Sequence, residues 1–124
     1  MKGKAEGKLR SVVRAERFEL TDKEVKVRAG LSMGFQGETP QLDLFDLERN
    51  LHITLSLGGP LGASLSFVKN KKARAALAMD LDGHPTLMLF DKNQNIRAAV
   101  LVGPEGDPRV ELHDQAGNLL WTAP

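Results

Sequence analysis

The segments FELTD, LDLFD, LSFVK, LMLFD and VELHD end at Asp22, Asp46, Lys69, Asp91 and Asp114, at intervals of 24, 23, 22 and 23 residues. A second set, VRAGLSM, LHITLSL, ARAALAM, IRAAVLV and LLWTAP, places Arg28, His52, Arg74, Arg97 and Leu120 at intervals of 24, 22, 23 and 23. Two independent landmarks with one period define five degenerate tandem repeats of about 23 residues. A unit of this length has room for two strands and their turns, so the period constrains the fold more than any single residue does.

Each unit reads as strand, short turn, strand, longer turn. Leu87-Met88-Leu89-Phe90 illustrates the first strand, with large apolar residues two apart, which is strand rather than helix periodicity. The short turns are KEVK, LERN, NKK, KNQN and QAGN, and the Asp before four of them can hydrogen-bond the backbone two residues on. The third turn is one residue shorter and begins from Lys69 instead of Asp. The longer connectors all contain Gly, and Pro40, Pro85 and Pro108 stand at strand entrances, where a residue without an N–H is tolerated. Connectors this short leave no space for helical crossovers. The chain is therefore expected to be all-β, a ten-strand antiparallel meander that curls, closes into a barrel or stacks, with a β-solenoid as the alternative.

In the second strands one parity is strongly apolar, for example Leu51, Ile53, Leu55 and Leu57, or Ala73, Ala75, Leu77 and Met79. Leu42/Leu44, Leu65/Phe67, Leu87/Leu89 and Val110/Leu112 form a stripe in the first strands. These positions are expected to form the core face of the sheet. Phe45, Met88, Phe90 and Leu101 fall on the other parity and are the candidate interaction face, with a second copy of the chain as the expected cover.

Composition limits the function classes. The 124 residues carry 17 Lys plus Arg against 16 Asp plus Glu, a formal net charge of +1, so nucleic acid is not an expected partner. There is no cysteine, which removes disulfides, thiolate metal sites and cysteine nucleophiles together. No apolar run is long enough for a membrane helix, and MKGKAEGKLR lacks the apolar segment of a secretory signal. Residues 1–10 are expected to be a flexible basic arm and residues 11–124 a single domain. Taken as a complete chain, the protein is expected in the cytoplasm.

Little of the chemistry-bearing inventory forms a pattern. His52 occupies the position held by Arg28, Arg74 and Arg97 in other units; His84 lies in a connector; His113 precedes Asp114. No two share the close spacing of a metal motif, and no serine sits on a strand-to-helix elbow. Asp80 and Asp82 precede Gly83 as carboxylates do in a calcium loop, but the later oxygen ligands are missing, so Asp-Gly turn chemistry is the preferred reading and no metal or cofactor is expected. The recurring Arg28, Arg74 and Arg97 could form a ladder facing anions, or pair with Glu19, Asp43 and Glu111 on the first strands; the near-neutral charge favours pairing.

The pattern of first strand, Asp-x-x-(Gly/Asn)-x and then (Val/Ile)-Arg-Ala is best seen in LMLFDKNQNIRAAV and FELTDKEVKVRAGL. It resembles tandem β-hairpin repeat segments of uncharacterised bacterial proteins. The resemblance implies a hairpin repeat and no activity. Hairpin repeats with a Tyr-x-Gly-x-Trp signature do not fit, because the chain has no tyrosine and its single Trp121 lies in the last unit. The functional expectation is a non-enzymatic structural or protein-interaction module that self-associates. The alternative is a module binding calcium, an anion or a sugar through connectors around Asp80, Asp82 and Asp107.

Overall fold

The computed structural model describes residues 7, 11–59 and 61–124. The expected arm, residues 1–10, lies outside the described residues except for Gly7. Ten strands follow one another: β1 (Arg17–Thr21), β2 (Val27–Met33), β3 (Pro40–Phe45), β4 (Leu51–Ser56), β5 (Ala63–Lys69), β6 (Lys72–Met79), β7 (Pro85–Phe90), β8 (Ile96–Val102), β9 (Pro108–His113) and β10 (Leu119–Ala123). A short 3-10 turn, Phe35–Gly37, separates β2 from β3. All ten strands form one sheet in chain order, each antiparallel to its sequence neighbour. This is an open meander. Among the described residues β1 pairs only with β2 and β10 only with β9, so the sheet is not closed into a barrel. Stacked coils would pair strands two apart, and no such pairing occurs among the described residues.

Five of the nine connections are made by one kind of turn. The Asp22, Asp46, Asp80, Asp91 and Asp114 carboxylates each accept the backbone N–H groups two and four residues on, at 2.8 to 3.1 Å. The residue three after each Asp is left-handed: Val25, Arg49, Gly83, Gln94 and Gly117. Asn50, Asn95 and Asn118 do not take that conformation themselves. They stand one residue later, and their side-chain amides donate back to the turn carboxylate at 3.2, 3.2 and 2.9 Å. Asp80 belongs to a longer connector by sequence spacing, yet it closes its hairpin in the same way. The β5–β6 turn differs: Lys69 pairs with Lys72 across a two-residue turn whose residues, Asn70 and Lys71, are both left-handed.

Register turns the strand pattern into two faces. One row runs Phe18, Leu31, Leu42, Leu55, Leu65, Leu77, Leu87, Val100, Val110 and Ala123 across all ten strands. A second row on the same face runs Leu20, Ala29, Leu44, Ile53, Phe67, Ala75, Leu89, Ala98, Leu112 and Trp121. Every residue in both rows is apolar; we call this the leucine face. The opposite face carries Gly30, Asp43, Thr54, Ser66, Ala76, Met88, Ala99 and Glu111 in one row.

Burial reverses the expected assignment of these faces. The buried residues described are the small ones, Gly30, Ser56, Ser64, Ser66, Ala76, Ala78, Ala99 and Gly103, together with Met88. Ala76, fully inaccessible, lies between Ser66 and Met88 and packs with Ala78 and Met88 beneath Leu61 and Phe90. Leu55 and Leu77, expected in the core, are 50% and 53% exposed. The reason is the single layer. A small side chain is covered by its longer neighbours within one sheet, whereas a leucine standing off the sheet needs a second layer, and the described residues supply none.

Candidate functional site

The recurring basic positions are held by turn carboxylates rather than by the acidic residues of the first strands. Arg28 Nε donates to Asp22 Oδ2 at 2.8 Å, and its Nη1 donates to the carbonyl of Asp46 in the following unit. His52 Nε2 lies 2.8 Å from Asp46 Oδ2, and Arg97 Nη1 lies 3.8 Å from Asp91 Oδ2 while its Nε donates to the His113 carbonyl at 2.8 Å. The expected partners Glu19, Asp43 and Glu111 bond instead to Arg17, to Gln41, and to Arg109 and His113. Each such arginine therefore ties its own turn to the end of the next first strand. Arg74 makes only the second contact, donating Nε to the Phe90 carbonyl at 3.3 Å, because Lys69 stands where the carboxylate would be.

These hydrogen bonds lower the turn carboxylates below the ordinary carboxylate range. At Asp22 the largest influence is the backbone N–H of Lys26, at Asp80 that of His84, and at Asp114 the side-chain amide of Asn118. At Asp46 and Asp91 partial desolvation is the largest single influence and raises the carboxyl, but the combined hydrogen bonds from Asn50, His52 and Glu48, or from Asn95 and Asn93 with the charge of Arg97, outweigh it. Asp46 reaches about 2. A depressed folded pKa means that the unfolded chain takes up protons first as pH falls. The contribution of these turns is thus fully present above the unfolded carboxylate pKa of about 4 and is lost as pH falls through the lowered folded values, about 2 at Asp46. Melting temperature followed by circular dichroism is expected to decline steadily over that interval. A melting temperature unchanged between about pH 5 and about pH 2 would contradict this account of the turns.

The three histidines do not converge. His52 is on β4 and His113 on β9, five ladder spacings or about 24 Å apart, and His84 lies at the opposite end of the strands. His113 Nε2 bonds to Glu111 at 3.1 Å rather than to Asp114, whose carboxylate is committed to its turn. Asp80, Asp82 and His84 do come together, with one ligand-type atom from each lying within 4.8 Å of the others. His84 joins the pair picked out from sequence because its Nδ1 lies 2.9 Å from Asp80 Oδ2. Asp80 Oδ1 already accepts two backbone N–H groups, as in the other Asp turns, so the cluster is accounted for by the turn.

Of the candidate interaction residues, Met88 is buried and Phe45, Phe90 and Leu101 are half-buried, all on the small-residue side. An open groove of about 510 Å³ runs there between Met88, Ile96, Ala99 and Leu101, with Glu111 and His113 on its wall. The large exposed apolar surface is the leucine face. Sequence parity alone marked its residues but labelled them as core. Comparison with protein-family models and with curated proteins gives no match.

Proposed function

We propose that this chain is a non-enzymatic structural or protein-interaction module, built from five hairpin repeats of the bacterial tandem-repeat type, that self-associates through its leucine face. The observation carrying this reading is the pair of ten-residue apolar rows left exposed on one side of a single-layer sheet. Ten strands at about 4.8 Å spacing make the face about 45 Å wide, and two rows of side chains make it about 15 Å tall. That area approaches the roughly 800 Å² per partner of a standard stable interface. A second copy is the favoured occupant because the face is continuous and apolar throughout, so two of them stack as the inner faces of a sandwich. Lipid suits it less well: the strands have five to eight residues, against about nine to eleven for a membrane-crossing strand.

The site chemistry supports a non-catalytic role, since the Asp, Arg and His side chains described above are engaged in closing turns or tying neighbouring hairpins. Association coupled to folding makes the melting temperature depend on protein concentration. Differential scanning calorimetry over a hundredfold dilution series is expected to show a falling melting temperature. A constant value across the series would argue for an isolated chain and against this reading.

A further inference from the structure

The β5–β6 turn breaks three local rules at once. Its first residue is Lys69 where Asp22, Asp46, Asp91 and Asp114 hold the corresponding place, so the ion pair made by Arg28 and by Arg97 becomes a like-charged pair with Arg74. Lys69 faces Lys72 directly across the ladder, an arrangement that destabilises a hairpin. Lys71 holds φ at 63° in a two-residue turn whose second position favours glycine. Departures from local stability concentrated at one place, with no carboxylate to offset the charge, are the mark of a functional position.

What they assemble is a corner of positive charge. Lys69, Asn70, Lys72, Arg74, Lys92 and Asn93 line a shallow depression of about 290 Å³ between the β5–β6 and β7–β8 turns. Lys72 Nζ donates to the Lys92 carbonyl at 3.1 Å, which draws the two turns together without neutralising either lysine. Among the described residues, Lys69, Lys71, Lys72, Arg74 and Lys92 have no carboxylate partner. The carboxylate of the neighbouring turn, Asp91, is occupied by Asn93, Asn95 and Arg97. Only Nε of Arg74 is used, leaving its outer N–H donors for a ligand, and no aromatic ring lines the depression to stack on a base.

We propose that this corner binds a compact polyphosphate anion through Lys69, Lys72, Arg74 and Lys92. Charge density, rather than a base or sugar, is the recognised feature, so free triphosphate and the triphosphate tail of a nucleotide are equivalent ligands at the site. The test is calorimetric titration of the full chain with sodium triphosphate and, separately, with ATP, at constant ionic strength. Wild type is expected to bind both with similar affinity. Lys69→Asp restores the ion pair with Arg74 and removes the like-charged pair with Lys72. It is expected to weaken triphosphate binding at least about tenfold while leaving the ligand-free melting temperature equal to or above that of wild type, so that loss of binding is not loss of fold. Absence of saturable binding up to about 1 mM triphosphate, or unchanged affinity in Lys69→Asp, would overturn the site. Binding of ATP but not of triphosphate would also overturn it, by showing that the nucleoside carries recognition.

Discussion

The double substitution Leu55→Lys/Leu77→Lys is expected to abolish the proposed self-association and leave a monomer at micromolar concentration. Both residues lie in the first of the two rows of the leucine face, on β4 and β6, separated by Leu65. Each is about half exposed in the isolated chain, so a lysine there can reach water and the strand it stands on is preserved. In a face-to-face pair the same lysines are buried in both copies, opposite apolar side chains. An unpaired charge taken out of water costs several kcal/mol even after relaxation, which corresponds to a thousandfold or greater loss of affinity. Size-exclusion chromatography with light scattering reads the mass, and circular dichroism checks that the β signal persists. A double variant that keeps the wild-type mass would place association elsewhere, the free edge of β10 being the obvious site, since LLWTA carries no charge to discourage pairing.

The second large effect concerns the opposite face. Ala76→Leu is expected to destabilise the chain by about 1–3 kcal/mol, the range for forcing extra methylenes into a packed site. Ala76 is fully inaccessible, and its methyl already meets Ala78 and Met88. The adjacent Ala75 points the other way, between Phe67 and Leu89 on the leucine face, and Ala75→Leu is expected to cost less. Urea unfolding of the two variants at one protein concentration makes the comparison. If Ala75→Leu is the more damaging, the two faces have been assigned the wrong way round.

That contrast also marks where sequence reading stops. Strand positions, antiparallel neighbours and the role of the turn aspartates are all local properties. Alternation puts Leu87 and Leu89 on one side whatever the fold, and an Asp with free backbone N–H groups two and four residues ahead closes a turn wherever it occurs. The shorter β5–β6 turn was legible for the same reason. Which side of the sheet is buried is not local. It depends on what lies over the side chains, and the apolar parity reads as a core only if a second layer exists. Here Ala76 and Ser66 are covered by their own longer neighbours, while Leu55 and Leu77 stay half exposed among the described residues. The left-handed turn positions Val25, Arg49 and Gln94 hold residues with no preference for positive φ, and the following Asn50 and Asn95 brace the carboxylate. The geometry of a turn closed by Asp assigns that conformation by position. The cross-strand contacts of Arg28, Arg74 and Arg97 were visible as a recurrence, and their true partners were not, because the bulge beside each turn shifts the register at that point.

The most direct test is the mass of the wild-type protein by sedimentation equilibrium at several concentrations. Coverage of the leucine face by a second copy predicts an integer multiple of the 13.5 kDa chain mass, two for a single face-to-face pair, with dissociation on dilution. A species of 13.5 kDa at every concentration, retaining its β spectrum, would contradict it.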